Sequence, residues 1–395
     1  MHQHLRSIPI DEPTQHEGAN AASTQAIETL QHEAKDMYLA THEVGPPSRG
    51  GPRASDGEKE VPLGSRHLLD DALAELDGLI GLERIKHEVR TLTNYLKLQQ
   101  RRGEAGLPDT EMCLHMVFTG NPGTGKTTVA RILGKIFGAM GILRQGHLVE
   151  TDRSGLVAEY MGQTGPKTHA KINEALDGVL FVDEAYSLAV QEGPDVYGGE
   201  AIQTLLKRAE DDRRRLVVIL AGYPDEMAAL LKSNPGLSSR FGRVLDFEDY
   251  SPVELARIFA WLCDKNHYKL APGTRARLML GLSELHRCRD RHFGNGRAVR
   301  NLFEHAIRRM ANRIAEIREL SAEELMLLEA DDIEFDGLPA DFALDATDGG
   351  ARFRIACPGC SHASDAPGSF LGEKVRCPKC ERNFVAEWGE PISQR

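Results

Sequence analysis

Apolar residues follow two alternating patterns through the middle of the chain. Short runs rich in β-forming residues, at positions 116–118, 147–150, 179–183 and 216–221, predict strands, of which 179–183 is expected to be buried. The stretches between these runs place apolar residues three and four positions apart, which predicts helices. Strands that alternate with helices indicate an α/β fold, in which a parallel sheet is covered by helices on both faces.

The pattern changes near Asp249 and becomes helical. Ser251-Pro-Val-Glu254 combines a capping box with a proline at the first helical position. Helical spacing then continues to about Leu328. We therefore expect an all-helical module after the α/β domain.

The ends of the chain differ from its middle. Residues 45–57 contain seven glycines and prolines, which argues against a packed element there. Helical spacing between Ile27 and Tyr38 fits either a docking helix or a transiently helical patch. We predict five segments, namely a disordered arm (1–66), an α/β domain (67–249), a helical domain (250–336), a linker (337–350) and a small cysteine domain (351–395).

Composition narrows the class of protein. The 395 residues are 41% hydrophobic and 27% charged, as in soluble globular proteins of two or three domains. Asp and Glu number 59 against 48 Lys and Arg, and this net charge of −11 is unlike a general nucleic-acid binder. No apolar run approaches the ~20 residues of a membrane span, and an acidic N-terminus is unlike a signal peptide.

Cysteine usage indicates a compartment. Four of the seven cysteines fall in the last forty residues, whereas Cys113, Cys263 and Cys288 are scattered and are expected to be buried thiols. This pattern is typical of a reducing cytoplasm, which is the expected location.

The run from Gly120 to Thr127, with the sequence Gly-Asn-Pro-Gly-Thr-Gly-Lys-Thr, matches the phosphate-loop motif and lies between a predicted strand and a predicted helix. Backbone N–H groups of such a loop surround phosphates, and the helix N-terminus adds partial positive charge. Lys126 is expected to reach the β- and γ-phosphates, and the Thr127 hydroxyl to bind Mg²⁺. The predicted nucleotide-binding residues of the loop are Asn121, Pro122, Gly123, Thr124, Gly125, Lys126, Thr127 and Thr128.

Two adjacent acids follow the strand pattern at 179–183. We expect Asp183 to hold the Mg²⁺ shell, and Glu184 to orient and deprotonate the water that attacks the γ-phosphate. An acidic turn after a buried strand is the alternative, but it does not account for the spacing of about fifty residues from the phosphate loop.

These motifs, with Ala221-Gly-Tyr-Pro224, Ser238-Ser-Arg-Phe-Gly242 and Asn295-Gly-Arg-Ala-Val-Arg-Asn301, occur in the order of an AAA+ ATPase. Over about residues 68–335 the chain resembles the CbbX/CfxQ group, whose relatives include SpoVK-like and EccA-type proteins. The resemblance implies a phosphate-loop AAA+ sheet, a helical lid over residues 250–336, ATP hydrolysis, and a homo-hexameric ring.

Several roles are implied by the resemblance. Ile80 and Gly81 match the segment beside the adenine. Arg240 matches the arginine finger that enters the neighbouring subunit's site, with Arg243 as a second candidate. Arg297 matches sensor 2. Sensor 1 has no clear residue, because this chain has Gly222 and Tyr223 at the position.

The segment from Glu159 to Thr164 resembles the pore loop of protein-threading AAA+ machines. The predicted pore residues are Tyr160, Met161 and Gly162, because an aromatic ring can grip any side chain and glycine lets the loop move. The alternative is that the tyrosine and methionine belong to the core. A threaded substrate would be a polypeptide.

Two Cys-x-x-Cys pairs occupy the C-terminal domain. Cys357, Cys360, Cys377 and Cys380 have the spacing of a four-cysteine zinc site, and four thiolates leave no open position for catalysis. This domain looks like a zinc ribbon, although Ser361 and Glu381 stand where many ribbons have glycine. A redox dithiol pair is the alternative. From residue 351 onward, seven basic and five acidic residues do not make a nucleic-acid footprint, which favours a protein-docking or structural ribbon.

The sequence thus predicts a cytoplasmic, ring-forming ATPase, using ATP, Mg²⁺ and Zn²⁺, that threads or remodels a protein client without membrane contact. Rubisco activation is the best-known activity of the group. One alternative is an ATP-dependent nucleic-acid switch or loader that reads through the ribbon. Another is a scaffold that binds ATP but hydrolyses it slowly.

Overall fold

The computed structural model describes residues 6–7, 63–108, 112–160, 162–189, 196–338 and 351–392. Most of the expected arm, including the segment considered for a docking helix, lies outside the described residues. Strand β1 (Arg6–Ser7) and the start of the first helix fall within the range 1–66.

The described elements follow one another in three groups along the chain. The α/β group contains α1 (Leu63–Asp77), α2 (Glu83–Glu104), β2 (Met116–Gly120), α3 (Lys126–Ala139), β3 (Leu148–Thr151), α4 (Arg153–Leu156), α5 (Thr164–Glu174), β4 (Gly178–Val182), α6 (Val196–Asp211), β5 (Leu216–Gly222), α7 (Pro224–Ser233), α8 (Pro235–Arg240) and β6 (Arg243–Phe247). The helical group contains α9 (Pro252–Lys265), β7 (Lys269–Leu270), α10 (Thr274–Arg287), α11 (Asn295–Ile314) and β8 (Leu327–Leu328). The C-terminal group contains β9 (Arg352–Ala356), β10 (Ala363–Pro367), β11 (Lys374–Arg376), β12 (Asn383–Val385) and β13 (Glu390–Pro391).

Five of the described strands form one parallel sheet in the order β3-β4-β5-β2-β6. The predicted α/β fold class is therefore confirmed. The carboxyl ends of parallel strands meet at one edge, where open α/β sheets bind their ligands. This edge brings together the residues after β2, β4, β5 and β6.

Helices cover both faces of the sheet. Along β2, Met116 and Phe118 belong to a core shared with α1, α2 and α3, whereas Val117 faces the core on the other side. The two-residue period of a strand explains this alternation. Strand β6 is not predicted by the hydrophobic pattern, because it is a short edge strand whose Val244 is half exposed.

The helical domain follows immediately, and the capping box at Ser251 is present as predicted. Helix α11 ends at Ile314, well before Leu328, where the sequence pattern ends. A two-residue parallel pairing of β7 with β8 joins the segments after α9 and α11. None of the described helices is long and apolar enough to cross a membrane.

The C-terminal domain consists of two small antiparallel sheets, in the orders β1-β11-β12 and β10-β9-β13. Its apolar residues, including Phe353 and Trp388, belong to the same core as α9, α10 and α11. The Arg275 guanidinium of α10 lies 4.6 Å from the centre of the Trp388 ring. The small domain therefore packs on the helical domain as a continuation of its core.

Candidate functional site

The phosphate-loop motif lies between β2 and α3, as the sequence predicts. Gly120 and Gly123 adopt positive φ angles of 142° and 72°. A Cβ on Gly120 would lie 2.3 Å from the Phe247 carbonyl oxygen, and a Cβ on Gly123 would lie 2.3 Å from that of Gly294. Only glycine therefore fits these two positions, and the loop is packed against β6 on one side and α11 on the other.

Lys126 is the first residue of α3, and its ammonium group turns back over the loop. Nζ donates to the carbonyl oxygens of Gly120 at 2.7 Å and Asn121 at 2.8 Å. Burial lowers the pKa of Lys126, the nearby Asp183 carboxylate raises it, and Arg297 lowers it further. A partly desolvated cation beside a loop of backbone N–H groups is suited to binding phosphate oxygens.

A cavity of about 870 Å³ opens at the carboxyl edge of the sheet, between the α/β domain and the helical domain. It brings together most of the predicted nucleotide residues. Those that line it are Ile80, Pro122, Gly123, Gly125, Lys126, Thr127, Thr128, Asp183, Glu184 and Arg297.

Three predicted nucleotide residues are not part of the cavity lining. Gly81 lies beside Ile80 with a φ angle of 62°. Thr124 is fully buried and donates to the Asn121 carbonyl at 2.8 Å. Asn121 directs its amide to Asp249, behind the loop, at 2.9 Å. Thr124 and Asn121 thus contribute side-chain hydrogen bonds that shape the loop from outside the cavity.

The two acids lie where β4 ends. Glu184 adopts a left-handed conformation, with a φ angle of 48°, and its N–H donates to Asp183 Oδ1 at 3.0 Å. Both side chains are exposed on the cavity wall. Adjacent carboxylates facing the phosphate loop can serve a cation and a water at once.

The cavity also contains residues that the sequence pattern does not single out. Tyr186 lies next to the acids, and burial, followed by the charge of Glu184, raises the pKa of its phenol to about 12. Tyr223 packs edge-on against His292 at 5.4 Å between ring centres. Trp261 shares a face of α9 with Ile258 and Leu262. Only the helical spacing of these residues could have indicated from the sequence that Trp261 lines the cavity.

Arg240 does not line the cavity of its own chain. It ends α8, and its Nε lies 3.1 Å from Glu210 Oε2. The second candidate, Arg243, donates from Nη2 to the Met112 sulfur at 3.6 Å. Neither arginine is therefore placed at the nucleotide cavity within one chain.

The predicted pore loop lies between α4 and α5. Tyr160 is 68% exposed, and Gly162 has a φ angle of 78°. Met161 lies outside the described residues. An exposed Tyr160 does not support the alternative in which this ring belongs to the core.

The four C-terminal cysteines converge. Their sulfur atoms all lie within 4.8 Å of one another, with 3.6 Å between Cys357 and Cys380 and between Cys360 and Cys377. A tetrahedral zinc site with Zn–S bonds of about 2.3 Å has S–S edges of about 3.8 Å, so the arrangement fits zinc. Backbone N–H groups of Cys380, and then Lys379, lower the pKa of the Cys377 thiol to about 6.

The residue after each cysteine pair has the backbone conformation that favours glycine, although neither residue is glycine. Ser361 and Glu381 both adopt left-handed conformations, with φ angles of 55° and 58°. Glu381 also pairs with Arg376 at 2.5 Å. Of the three scattered cysteines, only Cys263 is buried, and the expectation that Cys113 and Cys288 are buried is wrong.

Comparison with known proteins identifies two family matches. Residues 116–249 match the ATPase family associated with various cellular activities (AAA), and residues 251–342 match the AAA lid domain.

Curated relatives match about two thirds of the chain. Stage V sporulation protein K of Bacillus subtilis is 41% identical over 267 residues, which are 67% of this chain and 83% of that protein. Protein CbbX of Cereibacter sphaeroides is 42% identical over 268 residues, 67% of this chain and 85% of the relative. The chloroplastic ribulose bisphosphate carboxylase/oxygenase activase of Cyanidioschyzon merolae is 39% identical over 270 residues, with coverages of 68% and 90%.

Proposed function

The chain belongs to the AAA ATPases, in the group that contains stage V sporulation protein K, CbbX and CfxQ, and on this premise we propose that it is the motor subunit of a ring that remodels a protein partner. The family hydrolyses ATP with Mg²⁺. The remodelling and the ring are our proposals, and each is supported by the position of one residue.

We assign the steps of hydrolysis to the residues of the cavity. Lys126 and the backbone N–H groups of its loop hold the phosphates, and Arg297 holds the γ-phosphate from the lid. Glu184 takes a proton from the attacking water. Thr127 and Asp183 are the residues that would hold Mg²⁺, which neutralises phosphate charge when bound.

The position of Arg240 supports the ring. A cation that stabilises the transferring phosphoryl group must reach it, yet this arginine lies outside its own chain's cavity. A neighbouring subunit would complete the site, so we propose a homo-hexamer.

The exposure of Tyr160 is the observation that supports the remodelling function. This large aromatic side chain is 68% exposed, two residues before the left-handed Gly162, so its ring is accessible for contact with another molecule. We propose that it grips a polypeptide. The relative named as a ribulose bisphosphate carboxylase/oxygenase activase makes this carboxylase one client to test.

The test compares Tyr160→Ala with Tyr160→Phe. Basal ATPase activity should stay within about twofold of wild type in both variants, because the side chain of Tyr160 lies outside the nucleotide cavity. Stimulation of ATPase activity by an unfolded model protein should be lost in the alanine variant and retained in the phenylalanine variant. Equal stimulation in all three proteins would contradict threading through this loop.

We further propose that Cys357, Cys360, Cys377 and Cys380 hold one structural Zn²⁺. Four converging cysteines would stay reduced and able to bind a metal in the cytoplasm, where we propose that the protein is located. The ribbon packs on the lid. We propose that it docks a protein. The comparisons do not favour the alternative of a nucleic-acid switch.

A further inference from the structure

Asp249 lies at the junction between the α/β domain and the lid, and three polar side chains converge on it. Its Oδ1 accepts from Asn121 Nδ2 at 2.9 Å and from Asn295 Nδ2 at 2.7 Å. Its Oδ2 lies 3.3 Å from Arg289 Nε. The Asp249 side chain is only 17% exposed, so these contacts are its main interactions.

The two amides that share Oδ1 belong to different domains. Asn121 is part of the phosphate loop, whereas Asn295 begins α11, two residues before Arg297. Asn295 is fully buried and left-handed, with a φ angle of 47°. Its own Oδ1 accepts from the Tyr250 N–H at 2.9 Å, so both ends of the amide are bonded to the interdomain junction.

Two further contacts hold the loop to the same junction. The Gly296 N–H donates to the Gly123 carbonyl at 3.1 Å. The Tyr250 hydroxyl donates to the Thr124 carbonyl at 3.3 Å. The outer side of the phosphate loop is thus bonded to residues 249–250 and 295–296, and its inner side faces the cavity.

We propose that Asp249 is a positioning residue that couples the phosphate loop to the sensor helix α11. One carboxylate oxygen holds both amides, and hydrogen bonds weaken steeply when their geometry changes. A shift of the loop on nucleotide binding is therefore transmitted to Asn295 and to Arg297 beyond it. The proposal rests on the role proposed above for Arg297.

A purely structural role would make a different prediction. If Asp249 only held two domains together, its loss would reduce stability and nucleotide affinity together. A positioning role instead lowers kcat and leaves nucleotide affinity nearly unchanged, because the phosphate-binding groups of the loop remain while Arg297 is misplaced.

The experiment uses the whole 395-residue chain, at a concentration where activity per subunit no longer rises. In Asp249→Ala, kcat should fall by about 10- to 100-fold, as displacement of a catalytic group by about 1 Å commonly causes. Affinity for MgADP, measured by calorimetry, should stay within about threefold of wild type. Asp249→Asn keeps an oxygen for both amides, and the 41%-exposed Arg289, which would then face the new Nδ2, can turn to solvent, so kcat should return to within about threefold of wild type.

Asp246→Ala is the matched control. Asp246 lies three residues earlier and accepts from the Thr119 hydroxyl at 2.8 Å, so it bonds to the sheet and not to the lid. Its kcat should remain near that of wild type. If Asp249→Ala does not fold, Asn295→Gly keeps the left-handed backbone, removes the same amide, and should show the same fall in kcat.

Wild-type kcat in Asp249→Ala, an equal fall in Asp246→Ala, or no restoration in Asp249→Asn would each overturn the proposal. Arg297→Ala separates its failure from that of the underlying role. If Arg297→Ala lowers kcat and Asp249→Ala does not, only the coupling is wrong. If Arg297→Ala has no effect, the proposed sensor and the coupling both fail.

Discussion

Gly296 donates its backbone N–H to the carbonyl oxygen of Gly123 at 3.1 Å, so at this point the backbone of the lid touches the backbone of the phosphate loop. A side chain at either position would separate them, because a Cβ on Gly296 would lie 2.9 Å from the same carbonyl. The lid and the loop can therefore approach this closely only if both residues are glycine.

Gly123→Ala should disrupt this contact. The new Cβ would lie 2.3 Å from the Gly294 carbonyl oxygen, and the residue would keep a φ angle of 72°. Gly141→Ala is the control, because Gly141 has a φ angle of 69° and no heavy atom within 4 Å of its Cβ position. We expect Gly123→Ala to lose about 1–3 kcal/mol more unfolding free energy than the control. It should also lose at least about tenfold in kcat/KM.

His115 makes stability depend on pH. This buried imidazole accepts from the Val218 N–H at Nδ1 (3.0 Å), which leaves Nε2 to donate to the Ala209 carbonyl at 2.9 Å. The bond at Nδ1 requires the neutral ring, because a protonated Nδ1 cannot accept, and burial lowers the pKa of His115. The unfolded chain therefore binds more protons, and the stabilisation is present above about pH 6.5 and is lost as pH falls toward the folded pKa.

His115→Gln tests this assignment through chemical denaturation. The variant should lose about 1–3 kcal/mol at pH 7.5, because two buried hydrogen bonds are disturbed. The loss should be smaller at pH 5.5, with a slope of at most about 1.4 kcal/mol per pH unit. The exposed His87→Gln should match wild type at both values. A loss in His115→Gln that does not vary with pH would rule out His115 as the source.

Local sequence patterns predicted the parts of the site that are contiguous in the chain. The phosphate loop and the acids after β4 each depend on a strand and the residues that follow it. The joint at Asp249 could not be predicted in this way, because Asn121 and Asn295 lie 128 and 46 residues away from it. The sheet order, which places β6 beside β2, brings Asp249 to Asn121, and the contact between the lid and the phosphate loop brings Asn295 to Asp249.

The same limit applies to the C-terminal domain. The cysteine spacing predicted a metal cluster, since four thiols in two close pairs have few other arrangements. It could not predict that Phe353 and Trp388 would continue the core of the lid, because apolar residues in a small domain are equally suited to filling its own interior.

Zinc removal should expose this shared core. We expect one zinc per chain in the wild-type protein and almost none in Cys380→Ser, measured by elemental analysis. Zinc binding supplies on the order of 10 kcal/mol to the folding of such small domains. Its loss should therefore free Trp388 from Arg275 and shift the tryptophan fluorescence to longer wavelength. Cys288→Ser removes an exposed thiol outside the cluster and should retain zinc. Full zinc content in Cys380→Ser would contradict the four-cysteine assignment.

The ring proposal predicts that two inactive variants restore each other. Arg240→Ala should lose about 10³-fold or more in kcat while binding ATP, because an arginine finger contributes about 10³–10⁵. Glu184→Gln should also be inactive, because its own cavity lacks the base. In a mixed ring, an Arg240→Ala subunit keeps its Glu184 and receives Arg240 from a Glu184→Gln neighbour, so about a quarter of the sites in an equal mixture would be complete. The mixture should then regain up to roughly a quarter of wild-type activity, and wild-type activity per subunit should rise with protein concentration.

Arg243→Ala, which changes the second candidate, should stay active by itself. No recovery on mixing, despite assembly, would mean that Arg240 does not complete a neighbour's site.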